Sequence, residues 1–167
     1  MLEDDAYNVP DMLRYHPPNN IITENAAYMV TFTTADKIRI FSDEGDAAIV
    51  VESILKGRSL HHYLLFGFVV MPDHVHLVLK PLTRQLSECI KSIKGSTARR
   101  INERNLVQGK VWQKRYWSRP IVDDRLLAIE VAYVENNPVK ANMVGMVDVY
   151  PFSSARHRDS MDFDYLQ

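Results

Sequence analysis

Apolar and polar positions along the chain fall into blocks of two different periods. Ala27 to Thr33 is aromatic and β-branched, which predicts a strand. Tyr63 to Met71 is an apolar run, and His74 to Lys80 follows after a Pro72-Asp73 break. Two strands joined by so short a turn predict a hairpin. Helical spacing governs other blocks. Ala47, Ala48, Val51, Ile54 and Leu55 predict a helix capped by Ser42 or Asp43 and stopped at Gly57. Ile90, Ile93, Thr97 and Ile101 predict a second helix over Ser87 to Arg104, with Gly95 a mild cost inside it. Val111 to Val122 reads as a fourth strand, where Pro120 suits an end or a sheet edge. Asp123 or Asp124 caps a third helix through Leu126, Leu127, Ile129, Val131, Tyr133 and Val134. Pro138 is expected to limit it, because the residue before a proline is disfavoured as helix.

The order is strand, helix, strand, strand, helix, strand, helix. Two β-α-β halves predict an α+β fold, a ferredoxin-like sandwich. Its four-stranded antiparallel sheet would lie on one side, with the helices packed on it from the other. Residues 1–25, with Pro10, Pro17, Pro18, Asn19 and Asn20, read as an irregular leader. Residues 26–155 read as the folded domain, and residues 156–167 as a polar, mobile C-terminal tail.

A chain of 167 residues is long enough for one domain with its own core. The longest apolar run, Leu64 to Met71, is too short to span a membrane. Met1-Leu2-Glu3-Asp4-Asp5 carries acid where a signal peptide carries base. Cys89 is the single cysteine, so no intramolecular disulfide forms. A cytoplasmic location is the expectation. Net charge is −1, but its distribution is uneven. Residues 80–119 hold eleven basic side chains against Glu88 and Glu103, a window of +9, between two acidic ends. Such a block suits either a polyanion groove or a solvated helix face.

Three groups of residues carry candidate chemistry. His74 and His76 share one face of a strand, about 7 Å apart, where they suit a metal ion, a phosphate or simply a wet edge. Tyr133 and Asn137 are four apart on the third helix and share a face. Tyr133 alone also suits a core aromatic, and Asn137 before Pro138 also suits the N-cap of a following short helix. The third group is cations interleaved with aromatics: Lys114, Arg115, Tyr116, Trp117 and Arg119, extended by Lys91, Lys94, Arg99 and Arg100 on the second helix. Cations neutralise phosphate while flat rings stack on unpaired bases, a pattern suited to single-stranded nucleic acid. The same alternation would also bury Trp112 and Tyr116, or Trp117, in the core.

The stretch Met71-Pro72-Asp73-His74-Val75-His76-Leu77-Val78-Leu79 resembles the His-hydrophobic-His motif of the single-tyrosine HUH transposases. Trp112-Gln113-Lys114-Arg115-Tyr116-Trp117, then Tyr133-Val134-Glu135-Asn136-Asn137-Pro138-Val139-Lys140 and Tyr150-Pro151-Phe152-Ser153-Ser154, resemble the branch of REP-associated tyrosine transposases. The resemblance covers about residues 25–155 in order. It implies a ferredoxin-like nuclease and strand transferase acting on single-stranded DNA with hairpins, in DNA transposition. It implies His74, His76 and Asn137 as ligands of Mg²⁺ or Mn²⁺, and Tyr133 as the nucleophile of a covalent 5′-phosphotyrosine intermediate. A nucleoid-associated monomer or homodimer with no membrane partner is the matching expectation. Three other readings compete: a domesticated hairpin-DNA-binding protein that does not cleave, a histidine-triad nucleotide hydrolase, whose third histidine place is filled here by Val78, and an interaction module whose histidines do nothing, against which the basic-aromatic strand argues.

Overall fold

The structure is a computed structural model and describes residues 25–166. The predicted leader therefore lies almost entirely outside the described residues. Four strands and three helices follow in order: β1 (Ala27–Thr33), α1 (Glu44–Ser59), β2 (Tyr63–Val70), β3 (His74–Pro81), α2 (Leu86–Asn105), β4 (Trp117–Ile121) and α3 (Asp124–Lys140). The sheet order is β2-β3-β1-β4 and every neighbouring pair is antiparallel. This is the predicted α+β, ferredoxin-like arrangement. Among the described residues, no helix is long and apolar enough to cross a membrane.

The layers differ from the sequence expectation. α1 and α2 cover one face, where Ile54, Ile90 and Ile93 pack with Val30, Phe32, Val75 and Leu77. α3 covers the other face, where Leu127, Val131 and Val134 pack with Met29, Phe66, Val69 and Val78. The cause is written in β2 and β3. All eight residues of β2 and five successive residues of β3 are buried, so both faces needed covering. A β-bulge between Leu65 and Gly67 shifts the phase of β2. Tyr63 and Leu65 before it, and Phe68 and Val70 after it, thereby reach the same core.

The N-termini of α1 and α3 follow the predicted capping chemistry. The Asp43 carboxylate accepts from Asp46 N at 3.0 Å, and Asp123 accepts from Leu126 N at 2.7 Å. Each such cap contributes about 1 kcal/mol. Gly57 does not stop α1, which runs to Ser59. Its lack of a side chain serves packing instead. A Cβ there would lie 2.3 Å from the Tyr63 hydroxyl, which donates to Ile54 O at 2.6 Å. Nor does Pro138 end α3, which continues to Lys140. A proline removes one helical N–H and crowds the carbonyl four residues back, here that of Val134. The Asn137 amide nitrogen sits 2.9 Å from Tyr133 O and 3.5 Å from Val134 O, and takes up this local loss. Asn137 is therefore no N-cap of a following helix.

The predicted strand over 111–122 forms as two pieces on one edge of β1. Trp117 faces Thr31, but Trp112 faces Thr34, so five steps of one chain span three of the other. The excess bulges at 113–116 and costs its carbonyls their ladder partners. Lys94 Nζ supplies them, donating to Gln113 O at 2.7 Å and Lys114 O at 3.2 Å. Trp112 is buried against Phe32 and Phe41, with its indole N–H donating to Thr97 Oγ1 at 3.0 Å.

The segment after α3 binds the outer edge of β2. Val70 N donates to Phe152 O, Ser153 bridges to Val69, and Tyr150 Oη donates to Val70 O. Further on, Asp162 is buried: its carboxylate accepts two hydrogen bonds from Arg58 and one from Leu65 N. Part of the stretch read as polar tail thus packs tightly, and an exposed sheet edge is closed.

Candidate nuclease site

β3 presents its two histidines to the α3 face. Alternation sets this. Val75, Leu77 and Leu79 fill the core under α1 and α2, so His74, His76 and Val78 point the other way. The two rings stand edge to face with centroids 4.8 Å apart. Each is fixed through Nδ1. His74 Nδ1 lies 2.6 Å from Asp73 Oδ1, and a carboxylate can only accept, so Nδ1 carries the proton. His76 Nδ1 lies 2.7 Å from Thr31 Oγ1 on β1. The Nε2 atoms are left as the second nitrogen of each ring. His76 is 8% exposed, and burial, with His74 beside it, pushes its pKa down to about 3. It is a neutral imidazole across the physiological range.

α3 brings Tyr133 to this pair. The ring of Tyr133 lies 5.9 Å from that of His76, again edge to face. Asn137 stands one turn further on, with its amide nitrogen spent on the helix. Its Oδ1 is the end left over. Lys140 completes the flank, its Nζ 4.7 Å from the centre of the Tyr133 ring. So the two histidines and Tyr133, which follows His76 by 57 residues, meet on one face from two different elements. Among the described residues, no three His, Cys, Asp or Glu side chains gather as a metal cluster.

A family model described as "Transposase IS200 like" matches residues 22–137. The chain belongs to the IS200-like transposases. A Haemophilus influenzae protein assigned to the REP-associated tyrosine transposases is 32% identical over 156 residues, which cover 82% of this chain and 83% of that one. The REP-associated tyrosine transposase of Escherichia coli is 28% identical over 109 residues, 64% of this chain and 62% of its own. The chain is thus a transposase of the REP-associated tyrosine branch, as its motifs implied. A solved REP-associated tyrosine transposase, itself bound to a REP hairpin, shares the fold. Its TM-score is 0.65 at 22% identity, over 81% of this chain and 79% of that one.

The cations expected to line one groove of the transposase divide between the two faces of the sheet. Lys91, Lys94, Arg99 and Arg100 ride on α2, across the sheet from the histidines. Lys94 serves the bulge, Arg99 pairs with Glu103, and Arg100 pairs with Glu52 of α1. Spacing on a helix could not reveal which face of the sheet the helix covers. Tyr116 is half-buried against the α1–α2 core, and burial raises its hydroxyl pKa. Trp117 and Arg119 do lie on the histidine face. Trp117 pairs with Thr31, which pairs with His76, so the three form one row across β4, β1 and β3. Arg119 is engaged with the buried Glu130 of α3. Lys114 and Arg115 are exposed on the bulge next to Trp117.

Sequence reasoning passed over Thr31, Asp73 and Lys140 as site residues. In the sequence Asp73 stands out only as a turn former, although its place beside His74 is a usable signal. Thr31 had none, since only the pairing register of β1 with β3 puts it opposite His76.

Proposed function

We propose that this transposase cleaves and rejoins single-stranded DNA at hairpin-forming, REP-like sequences, with Tyr133 as nucleophile. The observation that carries the reading is the meeting of Tyr133 with His76 and His74 on one face. In the reaction, the Tyr133 Oη attacks a backbone phosphorus and forms a new O–P bond. The bond from that phosphorus to the 3′ oxygen breaks. The proton lost by the phenol balances the one gained by the departing 3′ hydroxyl. The 5′-phosphotyrosine keeps the bond energy, so a 3′ hydroxyl can reverse the step without ATP. Lys140, with its ammonium over the ring, favours negative charge developing on the phenol.

Two imidazoles and an amide oxygen fit a divalent ion, which His74 Nε2, His76 Nε2 and Asn137 Oδ1 would hold; the imidazoles by themselves would also suit zinc or copper, and the choice of Mg²⁺ or Mn²⁺ follows from the family resemblance. Asp73 and Thr31 would orient the rings through Nδ1, as outer partners of metal-bound histidines do. Such an ion, when bound, polarises the scissile phosphate and offsets charge in the transition state. The single strand would run past Trp117, whose ring offers a stacking surface, and past Lys114 and Arg115 on the bulge.

Covalent trapping tests the proposal. Labelled hairpin oligonucleotides are incubated with the protein and Mg²⁺, Mn²⁺ or a chelator, then run on denaturing gels beside Tyr133→Phe. A metal-dependent adduct lost in the variant is expected. Hairpin binding with no adduct in any condition would replace the nuclease by a non-cleaving binder.

A further inference from the structure

Two buried carboxylates on α3 take no part in the chemistry described so far. Glu130 and Glu135 are each 4% exposed. At about 100° per residue, Leu127, Val131, Val134 and Pro138 form the stripe of α3 that faces the sheet. Glu130 and Glu135 fall about 70° to either side of that stripe. Their partners lie toward opposite edges of the sheet. Glu130 is paired with Arg119 of β4, one outer strand. Glu135 accepts from Ser154 Oγ at 2.8 Å and from Arg158 Nη2 at 2.7 Å. Ser154 follows Ser153, which bridges to Val69 of β2, the other outer strand. Gly67 at the bulge brings these parts together: a Cβ there would meet Val131 at 3.4 Å and Ser154 Oγ at 3.6 Å.

We propose that these two carboxylate ties set the rotation of α3 about its axis, and so hold Tyr133 against His76. Glu130 and Glu135, with Arg119, Ser154 and Arg158, are then positioning residues for the transposase reaction. The proposal rests on Tyr133 being the nucleophile. An apolar stripe alone is a poor fix for rotation, since hydrophobic contact is non-directional. Hydrogen-bonded charges on both flanks are directional, and removing one partner leaves a buried carboxylate uncompensated. Tyr133 and Asn137 lie on the Glu130 side of the stripe, each about 160° around the axis from Glu135. Slack in the Glu135 tie would therefore swing the hydroxyl of Tyr133 away from or into the sheet.

The test compares Arg158→Ala, Arg158→Lys and an exposed control, Arg156→Ala, in the full chain. Single-turnover adduct formation should fall by about tenfold to a hundredfold in Arg158→Ala, as expected for a displaced reacting group. Hairpin binding should hold, and Arg158→Lys should recover part of the rate. A second measurement needs no activity: the NMR contact between labelled His76 and Tyr133 rings, which should weaken in Arg158→Ala and persist in Arg156→Ala. No adduct from the wild-type protein, with the ring contact still lost in Arg158→Ala, would sink the nuclease reading and leave the ties only their hold of Tyr133 against His76. An unchanged ring contact and unchanged adduct rate in Arg158→Ala would overturn the positioning role.

Discussion

The Tyr133 ring on α3 stands 5.9 Å from the His76 ring on β3, at 67° to it. That contact joins the last helix of the fold to its second hairpin strand. It depends on His76 being held still, and the Thr31 hydroxyl at 2.7 Å is what holds it. Thr31→Val keeps the shape and deletes the hydroxyl. Metal-supported cleavage should fall about tenfold to a hundredfold, with weaker apparent metal affinity. A metal titration of the cleavage rate checks this. An unchanged titration would remove Thr31 from the site.

Burial of His76 also makes stability depend on pH. Its folded pKa is lowered to about 3, below the ordinary value of 6.5. Below pH 6.5 the unfolded chain binds a proton that the folded chain refuses, so stability falls as pH drops from about 6.5 toward about 3. Between pH 6.5 and 5 the loss from this group is about 2 kcal/mol. Urea unfolding of the metal-free protein in chelator, beside His76→Gln, measures it. Parallel pH profiles for the two proteins would contradict the assignment.

Lys140 stands over the Tyr133 ring at 4.7 Å. Replacing it by Met keeps the length of the side chain and removes the charge. Adduct formation should slow by about tenfold, a loss in keeping with a cation-π contact of roughly 1 kcal/mol or a little more. Lys140→Arg should stay close to wild type. Pre-steady-state quench experiments separate this effect from DNA binding.

The division of cations between the two faces predicts opposite outcomes for two sets of variants. Arg115→Ala should weaken single-strand binding and lower the slope of log affinity against log salt by about 0.7, the value for one lost phosphate contact. The triple variant Lys91→Ala, Arg99→Ala, Arg100→Ala should leave both affinity and slope unchanged. Fluorescence titrations at several salt concentrations decide it.

Gly57→Ala tests the fold away from the site. A Cβ at Gly57 would press on the Tyr63 hydroxyl and its bond to Ile54 O. Stability should drop by about 1–3 kcal/mol, while the cleavage rate of the folded protein holds. Chemical denaturation gives the first quantity and single-turnover kinetics the second.

Sequence alone determined the elements and their order, because local periodicity is a property of neighbours along the chain. His74 and His76 share a face because side chains alternate on a strand, and Tyr133 and Asn137 share one because helical residues four apart do. It also led to the transposase family through ordered motifs. Tertiary structure decided which face each helix covers. That choice moved α3 onto the histidines and carried Lys91, Arg99 and Arg100 away from them. It also decided the partners that lie far off in sequence: Thr31 for His76 through strand register, Lys94 for the bulge carbonyls, and Ser154 and Arg158 for Glu135. Pro138 inside α3 belongs to the same class. Its local preference was against helix, yet the helix continues, because packing of α3 on the sheet and the Asn137 side chain offset one missing hydrogen bond.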